Sequence, residues 1–331
     1  MKSHGSLAHA CAFATRTARY ESGLTLVELM ISITLGLLIV MAATALLLSS
    51  KSGYVIQDED AHIQDTGRYA LENISRAVRQ AAYENWDTNE APIVLAANLS
   101  ANIAGLDARS LKSTTPGIES PVTKTVQGSD VLALRFFGVG NGENGDGSMV
   151  NCAGFGVGAP GSKEEAEERR GWSIFYVAED ASGEPELYCK YLGKSSWASQ
   201  AIARGVESFQ VLYGLDLDGD GMPNRFLNAT AITALDDTLV LEGATAEERD
   251  QDKNKKTHWK KIVVVKVALL VRGTQNARAD SLTIQHDLFG KEYADANAAT
   301  DPGVRIKEET LRSTVRNRLR RTFLSTIQLR N

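Results

Sequence analysis

Three aspartates at alternate positions, Asp216, Asp218 and Asp220, are followed by Gly221, Met222 and Asn224 in the segment LDLDGDGMPNRF. A calcium loop uses side-chain oxygens at its first, third and fifth positions, a glycine at the sixth, a backbone carbonyl at the seventh and often a ligand at the ninth. On that template Met222 lends its carbonyl and Asn224 its side chain. Three clustered carboxylates repel one another unless a cation or solvent screens them. A complete EF-hand needs a bidentate glutamate at the twelfth position, which here is Leu227. Two readings therefore stand side by side. One is an incomplete Ca²⁺ loop closed by water or by a remote carboxylate such as Asp236 or Asp237. The other is an acidic Asp-Gly turn between strands.

Cysteine chemistry is the next candidate. Of the three cysteines, Cys11 precedes a long apolar run, while Cys152 and Cys189 lie far downstream. If the segment before the run is removed, two remain, and two can pair in an oxidising compartment. Their bridge would close a loop holding a Gly-rich stretch and the charge run KEEAEERR. No Cys-x-x-Cys or histidine pair stands nearby, so the expectation is a structural disulfide, with free thiols as the alternative. The string from Gly154 to Ala159 fits a loose GxGxxA pattern, but Pro160 and Gly161 follow where a helix must start, so it reads as a loop. There is no GxSxG, P-loop or HExxH motif, and the sequence points away from an enzyme.

Formal net charge is −5. The first 23 residues carry Lys2, Arg16 and Arg19 against Glu21, so the remainder stands at −7. A chain this acidic gives no electrostatic reason for general nucleic-acid binding. The basic run Arg316, Arg318, Arg320 and Arg321 reads as a solvated or membrane-proximal face.

The apolar run LTLVELMISITLGLLIVMAATALLL, residues 24–48, contains one charge, Glu28. From Leu29 to Leu48 there is none. As a helix that stretch is about 30 Å long, the thickness of a bilayer's hydrocarbon core. It is too long for the apolar core of a secretory signal. The basic residues before it place the N-terminus in the cytoplasm and the bulk of the chain outside.

The stretch Gly23-Leu24-Thr25-Leu26-Val27-Glu28 resembles a class III, or prepilin, signal. Leu24 stands where that family most often has phenylalanine, and the leader is long. The resemblance implies cleavage after Gly23 by a prepilin peptidase, methylation of the new amino terminus at Leu24, and retention of the apolar helix. A carboxylate in a membrane helix costs about 2.5–3.5 kcal/mol on insertion scales. Glu28 would be retained as the partner of a neighbouring subunit's Leu24 amine, setting axial register in a filament. The plainer alternative is a glutamate that snorkels to the headgroups.

These elements must be positioned by the rest of the chain. In YALENISRAVRQAAYENW, Leu71, Ile74, Val78 and Ala81 or Ala82 recur at helical spacing, opposite Glu72, Arg76, Arg79 and Gln80. The first helix therefore reads as a transmembrane half, 24–50, and an amphipathic half, 51–87, with Gly36, Gly53 and Gly67 as soft points. Residues 88–129 read as a long connection. Strand-like runs follow at 130–137, 172–178, 186–192, 206–214, 259–273 and 322–331. The expected fold is α+β and pilin-like, with the long helix packed on an antiparallel β-sheet, leader 1–23 removed and a mostly-β globular domain at 88–331.

The layout, the Asp-rich loop after VLYG, the two late cysteines and the terminus RTFLSTIQLRN resemble the PilW group of type IV pilus minor pilins. That resemblance implies a subunit of the bacterial inner membrane with a periplasmic globular domain, later at the pilus or cell surface, which helps to prime filament assembly near the tip. Implied partners are other minor pilins, the major pilin, the prepilin peptidase, the inner-membrane assembly platform and a tip adhesin. Twitching motility, adhesion and DNA uptake lie downstream. Two rivals stand beside it: a type II secretion pseudopilin, and an adhesive module that binds a ligand or surface through its β-domain.

Overall fold

The computed structural model describes residues 23–81, 98–162, 165–278, 280 and 282–329. The leader up to residue 22 and the end of the expected amphipathic half, 82–87, lie outside the described residues. Residues up to Gly53 and residues from Tyr54 onward form two compact units.

Helix α1 runs from Leu26 to Ala81. In the first unit its apolar side chains are exposed all round, from Leu26 at 73% to Leu48 at 67%. A helix with no polar face belongs among lipid tails or other apolar helices rather than in water. It is long and apolar enough to cross a membrane. In the second unit the same helix is amphipathic. Ile63, Ala70, Ile74, Ala77, Val78 and Ala81 are buried, while Glu72, Arg76 and Arg79 are exposed.

The strands of the second unit fall into separate sheets. Strands β1 (Ile103–Leu106), β2 (Val131–Phe136), β3 (Gly171–Glu179), β4 (Pro185–Leu192) and β5 (Trp197–Arg204) form a five-stranded antiparallel meander in that order. Strands β6 (Val206–Leu215), β7 (Arg225–Leu227), β8 (Ile262–Arg272) and, after two further short strands, the last strand of the chain build a second, four-stranded sheet. Helices α2 (Ala229–Asp236) and α3 (Ala246–Lys256) lie between β7 and β8 in sequence. After β8 come β9 (Gln285–Asp287), α4 (Lys291–Asn297), β10 (Arg305–Lys307) and β11 (Arg320–Gln328). Strands β9 and β10 pair with each other, and β11 pairs antiparallel with β8 from Arg320↔Arg272 to Gln328↔Val264.

The six strand-like runs of the sequence all became strands, but in two sheets rather than one. The switch is a single residue. Gly205, at φ +77°, joins β5 of the first sheet to β6 of the second, and a Cβ there would lie 2.5 Å from the carbonyl oxygen of Arg272. Glycine alone accepts that backbone conformation and that approach without strain.

One core joins these parts. Ile63, Ile74 and Val78 of α1 share a cluster with Leu132, Leu134, Phe175, Val177 and Leu187 of the first sheet and Phe209, Val211, Val265, Val267 and Leu269 of the second. Leu111 and Ile118 cover the outer face of the first sheet at Val131, Ala133 and Ile174. Leu288, Ile306, Leu311 and Val315 cover Ala268 and Leu270 on the far face of the second. Burial on both faces explains why β8 reads as a nearly continuous apolar run, broken by Lys266, instead of alternating.

The helix is also tied down by polar contacts. Glu59 is buried and accepts from Thr274 N (2.6 Å), Thr274 Oγ1 (2.7 Å) and Gln275 N (3.2 Å), just past the end of β8. Asp60 pairs with Arg321 on β11. Gly67, expected as a soft point, is instead a contact: a Cβ there would overlap the ring of Phe323. The small residue lets helix and strand approach.

Candidate functional site

The helix start carries the first group of sequence-selected residues. Leu26 is the first helical residue, so Thr25 is the N-cap and Glu28 sits three residues beyond it. Glu28 Oε2 accepts from Thr25 N (3.0 Å) and Thr25 Oγ1 (2.9 Å), and Glu28 N donates to Thr25 Oγ1 (3.3 Å). This is a reciprocal capping box, which satisfies amides that the first helical turn leaves without partners. The T-x-x-E signal for it stands in the sequence. Glu28 therefore has a role within its own chain, and its carboxylate also sits at the positive end of the helix dipole. Gly23 and Leu24 precede the helix and are exposed.

The Asp-rich segment is the loop between β6 and β7, whose register closes at Leu215↔Arg225. Carboxylate oxygens of Asp216, Asp218 and Asp220 lie within 4.8 Å of one another. Gly219 and Gly221 adopt φ +80° and +81°, which folds their amides inward. Asp216 accepts from Gly219 N (2.6 Å) and Gly221 N (2.9 Å), and Asp220 accepts from Met222 N (2.8 Å). The Gly221 amide, then that of Gly219, holds the Asp216 carboxyl below the usual carboxylate range, so it stays ionised. Asn224 donates to Asp218 (2.9 Å) and accepts from Leu217 N (2.6 Å). Loop amides thus meet part of the negative charge, while the oxygens remain grouped. Leu227, at the twelfth position, lies in β7 opposite Tyr213 and packs against the main core, where a glutamate has no place. Asp236 faces other partners: it accepts from Thr257 Oγ1, from His258 N (2.8 Å) and contacts His258 Nδ1 (2.7 Å).

Cys152 and Cys189 are joined by a disulfide, with their Cα atoms 5.9 Å apart. Cys189 belongs to β4 and Cys152 to the loop before β3, so the bond fastens that loop to the sheet.

The basic run near the C-terminus is where the structure departs most from the sequence reading. The Arg320 side chain is completely buried and that of Arg318 largely so, while Arg316 and Arg321 are exposed as expected. Glu207 accepts from Arg272 Nη1 (2.7 Å) and Arg320 Nε (2.6 Å). Glu184 pairs with Arg272 (2.6 Å) and Arg318 (3.0 Å). Glu308 pairs with Arg278 (2.7 Å) and lies 3.6 Å from Arg320. A β-bulge places Glu207 in this cluster, because Val206 pairs with Val271 and Ser208 with Leu270, leaving Glu207 as the extra residue. Charge runs are usually solvated, but three glutamates, two of them (Glu184 and Glu207) more than a hundred residues away, supply the counter-charge here, and burial becomes tolerable. No local pattern could have announced this, since Glu184 and Glu207 lie far from the run along the chain.

The model of the family described as Type IV Pilus-assembly protein W matches residues 174–331. A type IV-like pilin from Thermus thermophilus is structurally similar at a TM-score of 0.31 and 13% identity, with 83% of this chain and 96% of that chain covered. No curated protein matches the chain. Proteins of pilus assembly are generally structural subunits rather than catalysts, and they work by contact with other pilus components. Residues 174–331, just under half of the chain, hold most of β3, all of β4 to β11 and the buried ion cluster, and over that segment the chain is similar to the Type IV pilus-assembly protein W family.

Proposed function

We propose that this chain is a minor pilin that helps to prime type IV pilus assembly and takes a place near the filament tip, after cleavage behind Gly23 and N-methylation of Leu24. The observation that carries the reading is the first unit. A capped helix, apolar on every side, follows a Gly23-Leu24 junction, and the same chain carries the family match. Such a helix is stable in a bilayer before assembly and in a bundle of like helices afterwards. Lipid and apolar neighbours solvate it equally, so transfer between the two costs little.

Orientation follows from charge. Lys2, Arg16 and Arg19 precede the helix, which favours a cytoplasmic N-terminus and a periplasmic globular domain. A periplasmic domain also suits the Cys152–Cys189 bond, since that compartment is oxidising. The partners are other minor pilins, the major pilin, the peptidase and the assembly platform. Glu28 would exchange its bonds to Thr25 for the Leu24 amine of a neighbour.

The test is a chromosomal deletion complemented with variants. Loss of surface pili with secretion of type II substrates intact is the expected phenotype. Mass spectrometry of the complemented protein should find an N-methylated peptide that starts at Leu24, and Gly23→Ala should leave the leader in place. Normal piliation in the deletion strain, or a mature terminus elsewhere, would overturn the proposal.

A further inference from the structure

A cleft of about 530 Å³ lies in the second unit, between the five-stranded sheet and the segment from α2 to Trp259. That volume falls in the range of small-molecule sites. Its walls carry Trp172 of β3, Trp197 of β5 and Trp259, three of the chain's four tryptophans. Each indole is held in place. The Arg135 guanidinium sits 4.4 Å from the centre of Trp172. Trp172 and Trp197 meet edge to face at 5.5 Å, and the Lys190 ammonium lies 5.4 Å from Trp197. Trp259 packs edge-on against Tyr213 at 5.0 Å. Rings fixed in this way lose little freedom when a ligand arrives.

The charges around the cleft decide which ligand fits. Arg135 pairs with Glu167, which also holds the buried Arg170. Asp236 is engaged by Thr257 and His258. Of the remaining charged lining groups, Glu119 and Lys253 are exposed and of opposite sign. An anionic ligand such as a phosphate needs surplus cation, which the cleft does not offer. A wholly apolar ligand would strip water from Asn254, Thr233 and the Arg135–Glu167 pair without replacing its hydrogen bonds. A sugar ring meets both demands. Its C–H faces lie against indole, and its hydroxyls donate to and accept from amides and carboxylates at the edge.

We propose that this cleft is a binding site for a short neutral glycan. One chain supplies the whole lining, so binding can be read in the single subunit.

The experiment titrates the full chain, held in a zwitterionic detergent without sugar headgroups, with maltotriose, cellotriose, diacetylchitobiose and lactose. Tryptophan emission and saturation-transfer NMR are followed. The expected result is a saturable response to at least one sugar, in the micromolar to millimolar range. Trp197→Ala should weaken it by at least about tenfold, whereas Trp197→Phe should retain most of it, since the ring face is the binding element. Asn254→Ala, at the cleft edge, serves as a second variant that leaves the aromatic packing untouched and should also weaken binding. Thermal melting of each variant confirms that it is folded. No saturable response to any of the four sugars at tens of millimolar overturns the proposal. So does an unchanged response in both folded variants, Trp197→Ala and Asn254→Ala.

Discussion

Replacing Glu207 with leucine probes what holds the last strand in the sheet. The Glu207 side chain is 3% exposed, and its two oxygens face Arg272 (3%) and Arg320 (0%). Leucine removes the charge and leaves two buried guanidinium groups. Arg272 keeps Glu184 at 2.6 Å, but Glu184 is itself partly in water. Arg320 keeps only Glu308 at 3.6 Å as a charged partner among the described residues. Breaking a buried pair from one side costs about 3–5 kcal/mol, because the remaining charge stays desolvated. A value of about 4 kcal/mol is a large share of the 5–15 kcal/mol that typically separates folded from unfolded states. For a unit of this size it lowers Tm by roughly 8–16 °C. The assay is thermal unfolding of the full chain in detergent, followed by near-ultraviolet circular dichroism. Two controls isolate the electrostatic cause. Glu207→Gln, which preserves shape and one acceptor, should fall between the two. The triple change Glu207→Leu, Arg272→Met, Arg320→Met should recover most of the loss, because an apolar replacement of similar volume carries no desolvation cost. A Glu207→Leu melt within about 2 °C of wild type would refute the reasoning. A triple variant as unstable as the single one would show that packing, not charge, is responsible.

Three further outcomes follow from particular contacts. Reduction, or Cys152→Ser with Cys189→Ser, should destabilise the globular unit by about 4 kcal/mol, given a separation of 37 residues along the chain; denaturant midpoints with and without reductant measure it, and equal midpoints would remove the bond from the stability account. Lys190 is fully buried, its ammonium donating to Gly117 O (2.9 Å) and Thr115 Oγ1 (3.2 Å), and burial pulls its pKa down from 10.5 to about 8. Between pH 8 and 10.5 the unfolded chain binds the proton more than the folded one does, so wild-type stability relative to Lys190→Met should rise across that window and stay at its low plateau below pH 8. A difference that is flat with pH would contradict this. For the Asp-rich loop, bound Ca²⁺ at about 100 times its Kd adds about 2.7 kcal/mol. Melting should then rise with millimolar Ca²⁺, respond less to Mg²⁺, and lose the response in Asp218→Ala; a curve indifferent to calcium and chelator identifies the loop as an acidic turn.

What the sequence alone determined about this chain is what depends on near neighbours. The run from Leu29 to Leu48 had to be an apolar helix, because no charge interrupts it and its length matches a bilayer. The Ile74–Val78–Ala81 stripe had to face a core, because helical spacing puts those residues on one side. Strands β2, β3, β4, β6, β8 and β11 were readable from β-branched and aromatic runs. The Thr25–Glu28 cap was not read from the sequence, although its T-x-x-E spacing stands there. Helices α2, α3 and α4, the short strands β1, β7, β9 and β10 and the mixed strand β5 were not read from the sequence, since brief or mixed segments carry weak periodicity. The tertiary structure decided the rest. Whether the strands made one sheet or two turned on the backbone of Gly205. Arg320 left solvent because Glu207, more than a hundred residues earlier, was turned toward it by a bulge. Trp172, Trp197 and Trp259 became walls of one cleft only when the meander and the chain after α3 came together. Each of these is a long-range pairing whose free energy exists only once distant segments meet, and short-range patterns of residue type do not encode which segments will do so.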